Sequence, residues 1–145
     1  MSATRQKILF LDDDADVIAL LRKAFAASPF EAVFVTSGVE AVKTIFEAYR
    51  EGKPFDALIM DCALPHLDGF TIAKIVRLAE GTGVSKRAKI AYFTAFAKTV
   101  EQSTLLEAVG AEAYWRKPED TGNLPKLIQL WLDHGAMTRT NGSAL

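Results

Sequence analysis

The sequence predicts one α/β domain, built as a doubly wound parallel sheet of five strands with helices on both faces. Two observations predict this class. Apolar runs with strand character alternate along the chain with segments whose apolar residues recur at helical spacing. The connections between them are mostly short, and a length of 145 residues suits one domain with little room for a second.

The first two strand–helix units occupy the N-terminal third of the chain. Strands are expected at about residues 7–12 and 31–36, and each precedes a segment with an amphipathic helical pattern. Ser28-Pro29 ends the first helix and Gly52-Lys53-Pro54 ends the second. The expected buried stripes are Val17, Leu20, Leu21, Ala24 and Phe25 in the first helix, and Val42, Ile45, Phe46 and Tyr49 in the second.

The other three units follow the same alternation. Strands are expected at residues 56–61, 89–94 and 113–116. The fourth helix is expected at about residues 99–109, with Gly110 as its C-terminal glycine. The expected inner faces of the third and fifth helices are Ile72, Ile75, Val76 and Ala79, and Leu124, Leu127, Ile128 and Trp131, respectively.

The strand count also predicts the order of the sheet. Right-handed crossovers and only five strands favour the flavodoxin-like (βα)5 arrangement, with strand order 2-1-3-4-5. In that order strands one and three are neighbours, and their carboxyl ends meet where open α/β sheets bind ligands. Asp12 and Asp13 end the first strand, and Asp61 ends the third. The sequence therefore predicts a pocket crowded with negative charge.

Such a pocket has a definite chemistry. Three carboxylates this close repel one another, and at least one takes up a proton unless a cation relieves them. Oxygen ligands favour a hard ion that retains waters, so we expect Mg²⁺ (or Mn²⁺) beside Asp12, Asp13 and Asp61. With a cation present, Asp61 is free to attack phosphorus and form an aspartyl phosphate, while the ion neutralises charge on the transferring group.

Two more polar side chains stand at strand ends. Thr94 closes the fourth strand, and its hydroxyl can donate a hydrogen bond to a phosphoryl oxygen. Lys117 closes the fifth strand, and its ammonium can pair with Asp61 or with a phosphate. Together with the three carboxylates, these groups predict a site for phosphoryl transfer.

Other conspicuous side chains have structural interpretations. Asp14 and Asp16 are expected at the start of the first helix, where carboxylates are stabilising. Cys62 is expected to be a small buried filler rather than a nucleophile. Tyr92 is expected only to fill its strand.

Composition argues against several classes of function. The formal net charge of −1 gives no electrostatic attraction for nucleic acid or an anionic membrane, so neither is an expected partner. No apolar run approaches the roughly 20 residues of a membrane span, and the N-terminus lacks a signal-peptide pattern. The single cysteine suits a reducing compartment. We therefore expect a cytoplasmic protein.

The motifs together resemble a known family. Over about residues 7–134 the chain resembles the receiver domain of response regulators in bacterial two-component systems. The matching pieces are Asp12-Asp13, Met60-Asp61 with Leu64-Pro65 and Asp68-Gly69, Thr94-Ala95, and Lys117-Pro118. Each piece is weakly specific, but the set in this order is highly specific. We expect a receiver domain over residues 1–135 and a flexible tail over 136–145, too short for an output domain.

The resemblance implies a phosphoacceptor role for Asp61. The donor would be a phosphohistidine of a sensor histidine kinase or histidine phosphotransferase, as in phosphorelay signal transduction. Asp13 and Asp61, with the backbone carbonyl of Ala63, would hold Mg²⁺, and Asp12 would act largely through water. The domain would catalyse only its own phosphorylation and dephosphorylation, and would not be an enzyme that turns over other substrates.

The resemblance also implies a switch. Thr94 and Lys117 would bind the phosphoryl group, and Tyr114 would turn inward as the threonine moves. Such a switch is a shift between two pre-existing arrangements. The output would be a changed contact with a downstream protein target, or a homodimer, through the face formed by helix 4, strand 5 and helix 5.

An enzyme of another class is the alternative. A Mg²⁺-dependent phosphohydrolase also uses an aspartyl nucleophile, and the Asp12-x-Asp14 spacing is loosely similar to the haloacid-dehalogenase pattern. Those enzymes have Thr or Val two residues after the second aspartate, where this chain has Asp16. They also need a cap domain or a longer chain.

Overall fold

A computed structural model describes residues 5–65, 67–83, 86–95, 99–117 and 121–134 of the chain. Within these ranges, strands and helices alternate as the sequence predicts. The strands are β1 (Lys7–Leu11), β2 (Glu31–Val35), β3 (Ala57–Met60), β4 (Lys89–Thr94) and β5 (Ala111–Arg116). The helices are α1 (Ala15–Phe25), α2 (Gly38–Arg50), α3 (Gly69–Glu80), α4 (Val100–Ala108) and α5 (Leu124–His134).

The sheet confirms the predicted topology. All strand pairs are parallel, and the order is β2-β1-β3-β4-β5. Leu11 of β1 lies opposite Met60 of β3. Asp12 and Asp61 directly follow these two residues, and the backbone N–H of Asp61 donates to the Leu11 carbonyl over 3.1 Å. The register therefore brings both aspartates to the same level of the same edge.

Both faces of the sheet are covered. Alternate residues along a strand point to opposite faces, so β1 sends Leu9 and Leu11 into one half of the core and Ile8 and Phe10 into the other. The first half packs against α2, α3 and α4, and the second against α1 and α5. Burial on both faces explains why the strands are continuous apolar runs rather than alternating ones.

The predicted helix stripes are partly wrong for α1 and α2. In α1, Leu20 is 55% exposed, whereas Ile18 joins Leu21 and Phe25 in the core. In α2, Ala41 and Ala48 flank Ile45 in the core, and the larger Phe46 stays only partly buried. Small alanines let the helix approach the sheet closely, so a pattern that counts only large apolar residues misplaces the buried face.

Strand β5 begins two residues earlier than predicted. The pairing with β4 shifts register here, since Ile90 lies opposite Ala111 and Ala91 opposite Ala113. Glu112 is the extra residue of this irregularity, and its carboxylate accepts a hydrogen bond from the Trp131 indole N–H at 3.0 Å. Because Glu112 interrupts the apolar run, the sequence pattern does not predict that β5 begins at Ala111.

Arg77 joins α3 to two neighbouring segments. Its Nε donates to the Val109 carbonyl at 2.7 Å, at the end of α4, and its Nη1 donates to the Ala88 carbonyl at 2.8 Å, just before β4. Glu80 pairs with Nη1 at 2.7 Å and accepts from the Ala88 N–H at 2.7 Å. The two side chains are only 14% and 9% exposed, so this ion pair is largely screened from water.

We expect Arg77→Met to lower the free energy of unfolding by about 2–3 kcal/mol. The change removes the closer of the two arginines that face the Glu80 carboxylate and leaves the Val109 and Ala88 carbonyls without their side-chain donor. Lys74→Met, at an exposed position one turn earlier on α3, is the matched control and changes stability by less than about 0.5 kcal/mol. Urea unfolding followed by circular dichroism measures both. Equal losses in the two variants would contradict a structural role for the Arg77–Glu80 pair.

Candidate functional site at the carboxyl ends of the strands

Three aspartates meet at the carboxyl ends of β1 and β3. Asp12, Asp13 and Asp61 each offer a carboxylate oxygen, and these oxygens lie within 4.8 Å of one another. Asp12 and Asp61 are buried, at 2% and 8% exposure, whereas Asp13 is exposed to solvent. The predicted acidic pocket is therefore formed, with one side open.

Lys117 crosses from the end of β5 to this cluster. Its Nζ forms ion pairs with Asp12 Oδ2 and with Asp61 Oδ2, the latter at 2.9 Å. The same nitrogen lies 5.6 Å from the centroid of the Phe93 ring, which adds a weak cation–π attraction. The backbone N–H of Lys117 donates to the Thr94 carbonyl at 2.8 Å, so the β4–β5 ladder positions the base of the lysine.

Backbone N–H groups orient the two buried carboxylates. Asp61 Oδ1 accepts from the Ala63 N–H at 3.2 Å, and Asp12 Oδ1 accepts from the Asp14 N–H at 2.9 Å. Each buried aspartate therefore directs one oxygen to the backbone and the other to Lys117. The Asp14 side chain instead caps α1 by accepting from the N–H groups of Asp16 and Val17, as the sequence predicts.

The charges of the cluster do not balance. Burial raises the pKa of Asp12, although the hydrogen bond from Lys117 opposes this. Burial also disfavours the charge of Lys117, but its hydrogen bonds to Asp12 and Asp61 outweigh that effect and raise the lysine pKa. One ammonium thus faces three carboxylates, and Asp12 is ionised at a cost. A divalent cation at the open side would remove this excess negative charge.

Close contacts hold the loop after Asp61 in place. A Cβ at Gly69 would overlap the Asp61 carbonyl oxygen and lie 3.0 Å from Tyr92 Cε1, so only glycine fits there. The Tyr92 hydroxyl donates to the Gly69 carbonyl at 2.9 Å. At the other side of the loop, a Cβ on Gly38 would lie 2.6 Å from the Leu67 carbonyl oxygen. The backbone that carries Asp61 is therefore confined from two directions.

Tyr92 is a residue whose contribution the sequence analysis missed. It was expected only to fill β4, but its hydroxyl supports the start of α3 beside Asp61. The signal was present, since a buried tyrosine almost always finds a partner for its hydroxyl. Arg116 was missed as well, and its Nη2 donates to the Ala95 carbonyl at 3.1 Å, next to Thr94.

The predicted switch residues lie on neighbouring strands. Thr94 and Tyr114 are both fully buried, at the end of β4 and within β5. Tyr114 lies opposite Tyr92, and its side chain points inward, where its hydroxyl hydrogen-bonds to the Cys62 thiol. Burial raises the pKa of Cys62 to about 12, so the thiol stays protonated and acts as a buried filler, as predicted. Pro118, the second residue of the Lys117-Pro118 pair, lies outside the described residues.

No helix within the described ranges is long and apolar enough to cross a membrane. This finding agrees with the lack of any long apolar run in the sequence.

Comparison with known proteins identifies the domain. The family model of the response regulator receiver domain matches residues 8–129. The transcriptional regulatory protein PrrA of Mycobacterium tuberculosis is 28% identical over 140 residues, which cover 97% of this chain and 55% of PrrA. The chain thus spans about half the length of this curated relative.

Solved structures agree in fold. The chemotaxis protein CheY4 of Vibrio cholerae has a TM-score of 0.74 and 25% identity, over 87% of this chain and 98% of CheY4. The receiver domain of the sensor histidine kinase PA1611 of Pseudomonas aeruginosa PAO1 has a TM-score of 0.70 and 27% identity, over 90% and 99% of the two chains. That structure holds a magnesium ion in its active site cleft. Sequence, topology and the acidic site agree: the chain belongs to the response regulator receiver domain family.

Proposed function

We propose that Asp61 is the phosphoacceptor of this receiver domain and that phosphorylation changes the contacts the domain makes with other proteins. One observation carries the proposal: the Asp61 carboxylate lies between the Lys117 ammonium and the Ala63 N–H, next to two further aspartates. This geometry offers a nucleophilic oxygen together with groups that stabilise added negative charge.

The phosphoryl donor is a phosphohistidine on a sensor histidine kinase or a histidine phosphotransferase. An Asp61 carboxylate oxygen attacks phosphorus and forms a new O–P bond. The P–N bond to imidazole breaks at the same time, and the histidine leaves with the electron pair and takes a proton. The product is an aspartyl phosphate that stores the signal until water hydrolyses it.

Mg²⁺ (or Mn²⁺) fits the acidic cluster. Asp13, Asp61 and the Ala63 carbonyl are the proposed ligands, and the bound ion would neutralise charge on the phosphoryl oxygens. Asp12 already uses one oxygen for the Asp14 N–H and the other for Lys117. Those contacts support a role for Asp12 through a metal-bound water rather than as a direct ligand.

Lys117 and Thr94 bind the phosphoryl group once it is on Asp61. Lys117 keeps its contact with Asp12 while its charge pairs with the phosphate as a point charge. Thr94 donates its hydroxyl from the end of β4, the strand adjacent to β3. Movement of Thr94 changes the packing around the inward Tyr114, so the phosphate favours one of two pre-existing arrangements.

The phosphohydrolase alternative lacks support at Asp14. A phosphohydrolase of this kind needs a second catalytic aspartate two residues after Asp12, but the Asp14 carboxylate caps α1. Asp16 stands in the first turn of the same helix, where an apolar or hydroxyl residue would be required. We propose a signalling domain that catalyses only its own phosphorylation and dephosphorylation.

The output is a protein contact. We propose a receiver domain over residues 1–135 that acts in the cytoplasm on a downstream protein, or as a homodimer, through α4, β5 and α5. Residues 136–145, which the sequence analysis expects to be a tail, lie outside the described residues. Val100 on α4 is 85% exposed and is one apolar side chain that this face can offer to a partner. Direct binding of nucleic acid is not proposed, because the net charge of −1 gives it no electrostatic basis.

Acetyl phosphate with Mg²⁺ is expected to add one phosphate to the intact protein, detected by mass spectrometry as a stoichiometric adduct. Asp61→Asn is expected to show no adduct, because the amide cannot form an acyl phosphate. Asp68→Asn, which changes the carboxylate that caps α3, is the matched control and still accepts phosphate. Sustained turnover of a generic phosphate ester would support the hydrolase instead.

Mg²⁺ is expected to raise the midpoint of thermal unfolding, because it binds only the folded acidic cluster. At a Mg²⁺ concentration of about 100 times Kd, the free energy of unfolding is expected to rise by about 2.7 kcal/mol. Asp13→Asn is expected to remove most of this shift. Asp16→Asn changes an exposed aspartate three residues along and keeps the shift. A loss of the shift in both variants, or in neither, would count against the proposed metal ligands.

A further inference from the structure

A second charged cavity lies at the opposite edge of the sheet, at the amino ends of the strands. Its volume is about 480 Å³, within the range of about 300–1,000 Å³ that is usual for small-ligand sites. Four cations and two carboxylates line it: Arg5, Lys7, Lys53 and Lys86, with Glu31 and Asp56. The cavity therefore carries two positive charges in excess, in a domain whose net charge is −1.

Neutral groups hold two of the cations in place. Arg5 donates from Nε to the Pro29 carbonyl at 3.1 Å and from Nη2 to the Phe30 carbonyl at 2.5 Å. Lys7 donates from Nζ to the Lys53 carbonyl at 3.2 Å. Carbonyl oxygens fix the positions of these side chains without neutralising their charge. Around Arg5 and Lys7 the cavity wall is thus a preorganised cationic surface rather than a set of closed ion pairs.

The carboxylate of Asp56 is already used within the protein. One oxygen accepts from the Lys7 backbone N–H at 2.7 Å, and the other forms an ion pair with Lys86. Glu31 and Lys53 are exposed. The charges that remain available to a ligand are therefore mostly positive.

We propose that this cavity binds a diphosphate group. Two excess positive charges match a ligand with two adjacent anionic centres, and ammonium and guanidinium groups are the usual partners of phosphate oxygens. Among the described residues that line the cavity, only Gly52 and Pro54 are uncharged. Phe55, under the Lys7 ammonium, is only 2% exposed and offers no face for a nucleobase. The anion, not an attached base, supplies the binding.

Gly52 allows a matched test. Its φ of 71° lies in the left-handed region, which Asn and Asp tolerate better than other non-glycine residues, and a Cβ there meets open space. Gly52→Asp adds a negative charge to the cavity, and Gly52→Asn adds the same shape without charge. We expect the Kd for inorganic pyrophosphate in magnesium-free buffer to rise about tenfold more in Gly52→Asp than in Gly52→Asn.

A second test removes one positive charge from the cavity. Lys53→Gln is expected to weaken pyrophosphate binding about tenfold, whereas Lys43→Gln, at an exposed site on α2, leaves it unchanged. ADP is expected to bind no more tightly than pyrophosphate, and adenosine not at all. Clearly tighter binding of ADP than of pyrophosphate, or binding of adenosine alone, would overturn the proposal that the diphosphate group itself is recognised.

Amide chemical shifts locate the bound anion. Pyrophosphate is expected to shift the resonances of Lys7, Lys53 and Asp56, and those of Asp12 and Asp61 are expected to stay in place. Equal affinities in the two Gly52 variants, or shifts confined to the acidic end, would overturn the proposal. Asp61→Asn is expected to bind pyrophosphate normally, so this outcome is independent of phosphorylation.

Discussion

The whole acidic site depends on one ammonium group shared by carboxylates from two strands. Lys117, at the end of β5, pairs with Asp12 after β1 and with Asp61 after β3. Two buried carboxylates without a counter-charge would be costly, and the shared lysine lowers that cost without removing it. The remaining negative charge favours the binding of a cation. The bound cation would in turn offset the negative charge that a phosphoryl group brings to Asp61.

Precision at this site comes from backbone contacts rather than from many side chains. The strand register sets Asp12 and Asp61 level, and the N–H groups of Asp14 and Ala63 orient their carboxylates. Gly69 lets the first turn of α3 approach the Asp61 carbonyl. A reactive group held by the ends of strands is better fixed than one on a free loop, and this suits a reaction in which the Asp61 carboxylate must be aligned with the phosphoryl donor.

Sequence patterns predicted the strand order and the meeting of the aspartates, because both follow from local periodicity and from general rules of parallel sheets. They failed where a contact depends on three-dimensional fit. Leu20 matched a helical stripe yet lies outside the core, and Glu112 concealed a strand irregularity. The Arg77 contacts join segments distant in the sequence. The Tyr92 hydrogen bond joins β4 to the first residue of α3, and no spacing rule predicts it.

The two ends of the sheet carry opposite chemistry, and strand β3 runs between them, with Asp56 directly before it and Asp61 directly after it. Five residues of extended chain span about 17 Å, and two unit charges that far apart interact by only about 1 kcal/mol at an effective dielectric constant of about 20. Direct electrostatic coupling between an anion at Asp56 and a phosphoryl group at Asp61 is therefore weak. A larger effect would need an element with two arrangements that both ligands bias. The strand itself cannot be that element, since its residues are buried and hydrogen-bonded on both sides. The basic cavity and the acidic site are accordingly expected to act as separate sites on one rigid sheet.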